Sequence, residues 1–227
     1  MILTEHNLAV VIPALNESGT IANVVTAVQA YGVTALVVDD GSTDNTVELA
    51  RAANAFVVCH EQNRGYEPAL GTGIETAIEQ GFDFAVTFDA DGQLDADDLV
   101  RYMKCQEREQ ADIVVGIRDY RNRYAEYLLE LYGSLRFGLT DPLCGMKLYR
   151  LDVARHFLPF DTSLLVGMEM AFRMIDAGCN FSQLPIHVEK RQGMSRYGSS
   201  LLGEINIIKA LARVISLFGW SCKSELE

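Results

Sequence analysis

Short apolar runs rich in β-branched residues alternate with helical patterns through the first half of this 227-residue chain. Continuous apolar runs of this length are typical of strands buried on both faces, and each intervening segment is long enough for one helix. The alternation predicts βαβ units and an α/β fold with a mostly parallel sheet flanked by helices. The predicted strands are residues 8–12, 35–38, 55–59, 84–88 and 113–115.

The predicted helices of the first half fill the spaces between these strands, at residues 17–30, 43–53, 69–80 and 95–109. The second half is less regular. It has helical patterns at 122–137, 165–177 and 201–218 and extended patterns at 146–149 and 180–189. No Pro-, Gly- or Ser-rich linker interrupts the sequence, so we expect a single domain over residues 1–227.

Charge and cysteine usage narrow the class of protein. A net charge of −12 argues against nucleic acid as a partner, because a phosphate backbone favours Lys and Arg. The five cysteines form no C-x-x-C pair, which is typical of reduced thiols. The N-terminal residues lack an apolar signal core, and no apolar run is long enough to span a bilayer. We therefore expect a cytoplasmic protein.

The last helical pattern is amphipathic, with Asn206, Lys209, Arg213 and Ser216 on one stripe and mostly apolar residues elsewhere. Two interpretations stay open. The helix packs on the domain, or residues 201–220 make a peripheral contact with the inner face of a membrane, where Trp220 would act as an interfacial anchor.

Three polar clusters follow predicted strands, at residues 13–18, 39–42 and 89–93. In open α/β sheets, ligands bind outside the carboxyl ends of the strands. A single cluster could merely cap the next helix. Three clusters at one edge of one sheet favour a binding site.

Asp89 and Asp91 are the sharpest feature of these clusters. Alternate residues of an extended segment point the same way, so both carboxylates can face one cation. Mg²⁺ and Mn²⁺ favour oxygen ligands, and Gln93 offers a further oxygen. An EF-hand is excluded by spacing, because Leu94 stands where glycine is required and Val100 where the bidentate glutamate belongs. The segment predicts a Mg²⁺ or Mn²⁺ site.

Together, residues 11–17 (VIPALNE), 38–44 (VDDGSTD) and 89–93 (DADGQ) resemble the three signature segments of family 2 inverting glycosyltransferases with the GT-A fold. Within that family the sequence is most similar to dolichol- or polyprenyl-phosphate mannose or glucose synthases, through Arg118 and the segments 140–146 and 191–196. The resemblance implies a hexosyltransferase that uses a UDP- or GDP-sugar. It also implies a nucleotide-binding half at about residues 1–118 and an acceptor half at about 119–227.

The resemblance also implies roles for individual residues. Pro13, Leu15 and Glu17 would line the base and ribose pocket, and Asp39 would hydrogen-bond the nucleobase. Asp40 and Ser42 would support that loop. The remaining roles are metal binding against the diphosphate by Asp89, Asp91 and Gln93, acceptor-phosphate binding by Arg118 and Arg136, and contact with the donor diphosphate by Arg196.

Two departures from the family pattern affect the expected specificity. Arg196 replaces the usual lysine of the G-x-S-Lys segment, which keeps the charge but changes the geometry. Residues 63–69 (NRGYEPA) are also unusual, since relatives commonly have glycine or a basic residue near Glu67.

The acceptor decides whether a general base is needed. A hydroxyl acceptor needs one, and Asp141 and Glu169 are candidates. A phosphate acceptor is already anionic and needs only arginines to position it, which the cluster Arg118, Arg121, Arg123 and Arg136 would provide. The preferred hypothesis is transfer to a polyprenyl phosphate or another lipid-linked acceptor. Transfer to a soluble saccharide hydroxyl and non-enzymatic nucleotide-sugar binding are the alternatives.

Two other nucleotide-binding classes fit less well. A dinucleotide-binding loop would need glycine where Thr76 follows the 71–73 segment, and no strand leads directly into that segment. A nucleotidyltransferase would need glycine and arginine in the loop after the first strand, and residues 13–18 contain neither.

Overall fold

The computed structural model describes residues 7–120, 123–159, 167–189 and 200–219. Within these ranges the strands form one seven-stranded sheet in the order β3-β2-β1-β4-β6-β5-β7. Every neighbouring pair is parallel except that β6 runs antiparallel to β4 and β5. The strands are β1 Leu8–Ala14, β2 Thr34–Asp39, β3 Phe56–Cys59, β4 Phe84–Thr87, β5 Ile113–Arg118, β6 Lys147–Arg150 and β7 Phe181–Ile186.

Helices cover both faces of the sheet and give a three-layer structure. α1, α2 and α4 contribute to the apolar core on one face, and α3, α5, α6, α7 and α8 contribute to the core on the other. A short 3₁₀ turn, Arg155–Phe157, follows α6. The helices are α1 Ile21–Gln29, α2 Thr46–Ala52, α3 Tyr66–Glu79, α4 Asp98–Glu109, α5 Tyr124–Phe137, α6 Leu151–Ala154, α7 Met168–Asp176 and α8 Ser200–Phe218.

Strand β1 lies between β2 and β4 and is buried along its whole length. Its alternate residues enter opposite cores, with Val11 on the α3 side and Val10 on the α1 side. A Cβ on Gly73 of α3 would lie 2.2 Å from Val11 Cγ1, so only glycine allows α3 to approach β1 this closely. Both glycines of the 71–73 segment lie inside α3, and Gly73 serves helix–sheet packing there, not a dinucleotide-binding loop.

The predicted α/β fold with a mostly parallel sheet is confirmed, but several predicted helix starts differ from the observed ones by three or four residues. The helix predicted from residue 69 begins at Tyr66, and the one predicted from residue 95 begins at Asp98. The helix predicted from residue 17 begins at Ile21, and the one predicted from residue 43 begins at Thr46. The reason is competition from side chains. Asp44 accepts hydrogen bonds from the backbone amides of Ser18 and Thr46, and such local bonds hold residues before Ile21 and Thr46 in loops.

The topology gathers the predicted clusters at one edge. The carboxyl ends of β1, β2, β4 and β5 lie there, together with the amino end of the antiparallel β6. The reversal of β6 was not predicted. It brings residues 144–147 next to the segment that follows β4, where Thr87 pairs with Lys147. None of the described helices is long and apolar enough to cross a membrane.

Candidate active site

Asp39, the last residue of β2, presents a buried acceptor to the carboxyl edge of the sheet. Its side chain is only 3% exposed. Oδ2 accepts hydrogen bonds from the amides of Gly41 and Ser42, at 3.2 and 3.1 Å. Oδ1 has no hydrogen-bond partner within the described part of the chain. A buried carboxylate oxygen left without a donor is costly, so this atom fits a ligand N–H group.

Asp40 fastens the loop that follows β3. Its Oδ1 lies 2.7 Å from His60 Nδ1 and accepts the amide of Arg64 at 2.9 Å, while Oδ2 accepts the amide of Gly65 at 2.8 Å. His60 Nε2 lies 3.0 Å from Thr72 Oγ1 on α3. Asp40 therefore holds the 60–65 loop against the sheet edge, directly beside Asp39.

The loops after β1 and β2 are tied to each other. Ser42 Oγ accepts the amide of Asn16 at 2.9 Å, and Asn16 Oδ1 accepts the amide of Thr43 at 2.8 Å. The amide of Glu17 donates to Thr46 Oγ1 at 2.8 Å. Beside these loops, Pro13 is buried within β1 and Leu15 is 38% exposed at its end.

Asp89 and Asp91 follow β4 and are both half-buried. Asp89 Oδ1 accepts a hydrogen bond from the Tyr66 hydroxyl at 3.0 Å, and Asp91 Oδ1 accepts the amide of Gln93 at 3.1 Å. The Gln93 side-chain amide donates to the carbonyl of Glu189, which links the segment to the chain after β7.

Glycine at position 145 makes room for the Asp89 carboxylate. A Cβ there would lie 2.3 Å from Asp89 Oδ2. The Thr87 hydroxyl donates to the Gly145 carbonyl at 2.6 Å, and the buried Lys147 ammonium donates to the Cys144 carbonyl. Burial lowers the pKa of Lys147, an effect that the nearby Cys144, Asp141 and Asp89 oppose. These bonds fix the 144–147 segment against the end of β4.

Arg118 at the end of β5 is clamped between two buried acids. Its Nε and Nη2 donate to the two oxygens of Asp141, at 2.8 and 2.9 Å, and Nη2 also donates to Glu126 at 3.0 Å. Burial would lower the pKa of Arg118, but the hydrogen bonds and charge of Asp141, with Cys144 and Glu126, raise it. Arg118 therefore stays cationic, and both oxygens of Asp141 already accept hydrogen bonds from it.

Two predicted residues, Arg136 and Glu169, contact residues outside this group. Arg136 lies in the last turn of α5, a helix about 20 Å long. It pairs with Asp176 at 2.8 Å. Glu169 is buried in the first turn of α7, with Oε1 3.8 Å from Arg173. Arg196 lies outside the described residues, as does Arg121.

Three residues at the site were not singled out from the sequence: Tyr66, Glu126 and Lys147. Tyr66 lies in the segment noted as unusual, but no spacing rule connects it to Asp89. Glu126 and Lys147 each place a charge within an otherwise apolar pattern, and such residues are seldom buried without a partner. A charged residue within an apolar pattern was therefore the sequence signal that could have found Glu126 and Lys147.

The acidic pair suits a cation that is shared with a ligand. Within the described residues no group of three or more His, Cys, Asp or Glu side chains could hold a metal ion alone. Asp89 and Asp91 supply two carboxylates, and Mg²⁺ and Mn²⁺ commonly use one or two carboxylates with substrate phosphates and water. Gly145 allows the Asp89 carboxylate to occupy its position beside Asp91, because a Cβ at residue 145 would lie 2.3 Å from Asp89 Oδ2.

Comparison with known families identifies the family of the chain. Residues 9–155 match the model of "Glycosyl transferase family 2", a range that includes Asp39, Asp40, Asp89, Asp91, Arg118 and Asp141. The chain belongs to glycosyl transferase family 2. This confirms that the protein is a family 2 glycosyltransferase, as the signature segments predicted.

Two curated relatives of this glycosyltransferase are named for lipid-linked acceptors. The UDP-N-acetylglucosamine–dolichyl-phosphate N-acetylglucosaminyltransferase of Methanococcus voltae is 35% identical over 134 residues, which are 51% of this chain. The chain spans about half, 53%, of the length of that relative. The undecaprenyl-phosphate mannosyltransferase of Micrococcus luteus is 30% identical over 192 residues, 74% of this chain and 77% of the relative.

A solved structure confirms the fold of the glycosyltransferase. Glucosyl-3-phosphoglycerate synthase from Mycobacterium tuberculosis, crystallised with Mn²⁺, UDP and glucosyl-3-phosphoglycerate, superposes with a TM-score of 0.74. The match covers 95% of this chain and 81% of that one, at 23% identity. The predicted GT-A fold is therefore confirmed.

Proposed function

We propose that this glycosyltransferase moves a sugar from a UDP- or GDP-sugar to a polyprenyl phosphate or similar lipid-linked acceptor. The proposed reaction inverts the anomeric carbon and uses Mg²⁺ or Mn²⁺. The observation that carries the donor part is the buried Oδ1 of Asp39, which has no hydrogen-bond partner in the described chain and shares one sheet edge with Asp89 and Asp91. A nucleobase N–H at Asp39 and a diphosphate at the two aspartates would use all three side chains.

The chain's own residues would bind and orient the sugar donor. Asp39 would accept the nucleobase, and the exposed Leu15 would cover an apolar face of the nucleoside. Asp89, Asp91 and the Gln93 oxygen would hold the cation. Bound there, Mg²⁺ or Mn²⁺ would stabilise the negative charge that develops on the departing diphosphate. Arg196 is proposed to contact that diphosphate.

Arg118 supports an anionic acceptor. Its guanidinium is fixed by Asp141 and Glu126 at the end of β5, and its side chain retains 16% exposure. A fixed guanidinium suits a phosphate, which needs positioning and no proton removal. Because Arg118 already occupies both oxygens of Asp141, a phosphate acceptor is favoured over a hydroxyl that would need Asp141 as a base. Glu169 stays the candidate base for a hydroxyl acceptor.

The surface of α5 and α8 also favours a lipid-borne acceptor. α5 exposes an apolar stripe whose members are 52–87% exposed: Tyr124, Tyr127, Leu128, Leu131 and Leu135. These positions share one helical face. α8 packs beside α5 and exposes Ile205 and Ile208, at 39% and 51%. Contiguous apolar surface of this kind is unusual unless it contacts a partner or membrane.

Charge on this surface is complementary to anionic lipid. Among the described side chains of α5 and α8, the exposed charged residues are Lys209 and Arg213, both basic. Of the acids on these helices, Glu126 is buried against Arg118, and Glu130 and Glu204 are half-buried. Glu204 accepts the amides of Tyr124 and Ala125, at 3.1 and 2.8 Å. A basic and apolar surface on a chain of net charge −12 fits peripheral contact with an anionic membrane.

Thermal unfolding with nucleotides tests the donor part. We expect UDP or GDP to raise the unfolding temperature only when Mn²⁺ or Mg²⁺ is present. Stabilisation by NAD without metal would contradict the proposal. Comparing UDP with GDP then identifies the nucleobase.

Transfer assays test the acceptor part. Labelled nucleotide sugars would be incubated with a polyprenyl phosphate, with the dephosphorylated prenol as the matched control. We expect labelled lipid from the phosphate alone. Transfer to a soluble saccharide in place of the lipid would support the hydroxyl-acceptor alternative, and nucleotide-sugar binding without any transfer would support a non-enzymatic role.

A further inference from the structure

The Tyr66 hydroxyl donates a hydrogen bond to Asp89 from α3, outside the segment that follows β4. It lies 3.0 Å from Asp89 Oδ1. Tyr66 is the first residue of α3, and its half-buried ring packs against the core on that face. The ring is thus held at its base, and the hydroxyl is directed at one oxygen of the carboxylate.

The start of α3 is itself fixed by Asp40, which directly follows β2. Asp40 accepts the amides of Arg64 and Gly65, and Gly65 also accepts the amide of Ala69 in the first turn of α3, at 3.2 Å. Gly65 has φ of +102°, a conformation that favours glycine. The position of Tyr66 therefore depends on Asp40, the neighbour of Asp39.

The opposite side of Asp89 is confined as well. Gly145 lies so close to Oδ2 that a Cβ would approach it to 2.3 Å. With Tyr66 at Oδ1 and the 145 backbone beside Oδ2, the carboxylate has a defined orientation before any cation arrives. Outer hydrogen bonds of this kind orient metal-binding carboxylates and tune their affinity.

We propose that Tyr66 is a positioning residue that orients Asp89 for the divalent cation and couples the metal site to the Asp40 loop. The inference rests on the proposed function, because it requires a cation at Asp89. It concerns a residue that the sequence analysis did not assign to the site, and it is argued from the contact between Tyr66 and Asp89.

Tyr66→Phe tests the proposal because it removes one oxygen and keeps the ring in the core. Mn²⁺ binding would be measured by electron paramagnetic resonance of the free ion, in the presence of UDP. We expect the Kd for Mn²⁺ to rise roughly tenfold, the lower end of the range for lost outer hydrogen bonds. Binding of UDP without metal should be unchanged, and excess Mn²⁺ should restore turnover.

Tyr132→Phe is the matched control. The Tyr132 hydroxyl donates to the Gly219 carbonyl at 2.7 Å, away from Asp89, so its loss removes an equivalent hydrogen bond elsewhere. We expect its Kd for Mn²⁺ to equal that of the wild type.

The outcomes separate the two proposals. An unchanged Kd for Mn²⁺ in Tyr66→Phe, or an equal loss of metal-free UDP affinity, would overturn the positioning role while leaving the proposed function standing. A wild-type protein that binds no Mn²⁺ with UDP would overturn both.

Discussion

The carboxyl edge of the sheet, where the predicted clusters meet, has two sides that are built differently. On the β1–β4 side, loops are held by carboxylates and hydroxyls that accept backbone amides, as Asp40 does for Arg64 and Gly65. On the β5 side, Arg118 is held by ion pairs with Asp141 and Glu126. The first arrangement leaves one Asp39 oxygen open to a neutral N–H group, while the second presents a guanidinium.

The difference indicates what each side can recognise. Amide-bound loops define a shape and a few hydrogen bonds, which suits a nucleoside. A guanidinium held in place by two carboxylates presents a positive charge in a fixed orientation, which suits a phosphate. If this comparison is right, substitutions on the two sides should have separable effects on sugar donor, acceptor and stability.

The largest effect is expected for Asp91→Ala. Loss of a cation-binding carboxylate should reduce sugar transfer roughly 1,000-fold or more, about 4 kcal/mol, because charge on the leaving diphosphate loses its stabilisation. Turnover would be measured with the preferred nucleotide sugar, and circular dichroism would check the fold. The control is Asp152→Ala, an exposed aspartate at the far edge of the sheet. Wild-type turnover in Asp91→Ala would refute the metal assignment.

Arg118→Ala should act on the other side, and on stability too. It leaves Asp141 and Glu126 buried without the arginine, so we expect the free energy of unfolding to fall by about 3–5 kcal/mol. The KM for the acceptor should rise far more than the KM for the sugar donor.

Urea unfolding and steady-state kinetics measure these two effects. Arg150→Ala is the control, since Arg150 pairs with Asp112 and Asp152 but its side chain is 36% exposed, and it should cost less than about 1 kcal/mol. Equal losses for sugar donor and acceptor in Arg118→Ala would sink the acceptor-phosphate assignment.

Leu131→Ala tests the proposed membrane contact of α5. Leu131 is 56% exposed, so truncation should spare the fold. Losing its apolar contact should weaken partition onto anionic vesicles about tenfold, or ~1.4 kcal/mol. Vesicle sedimentation measures the partition. Phe56→Ala, at a 44% exposed side chain on β3, should leave it unchanged. Equal weakening in both variants, or a concentration-dependent dimer that Leu131→Ala dissolves, would count against a membrane.

The smallest effect is expected for Asp44→Asn, in the loop between β2 and α2. Burial would raise the pKa of Asp44, but hydrogen bonds from Thr46 and Ser18 lower it below its ordinary value of 3.8. The ionised carboxylate therefore stabilises the fold above that value, and this contribution is lost as pH falls through the folded-state pKa. We expect a cost of about 1 kcal/mol at pH 7 that shrinks below about pH 4. A cost that stays constant in urea unfolding across this range would contradict the assignment.

Sequence reasoning predicted the parts that depend on local pattern. The buried strands and the clusters at 39–42 and 89–93 follow from apolar runs that end in acids, and the structure brings both clusters to one edge. Sequence reasoning could not predict that Arg136 pairs with Asp176, because this contact depends on how α5 packs against α7. The Tyr66 contact was equally hidden, since it depends on how α3 approaches β4.

The reversal of β6 has a consequence for how such proteins diversify. Strand β5 ends and β6 begins at the ligand edge, and the two strands are neighbours. The stretch 119–146 therefore leaves the sheet and returns to it at the same edge. A change in the length of that stretch need not shift the register of any strand. Under the proposed function, the residues that contact the acceptor could therefore vary without altering the loops that contact the sugar donor.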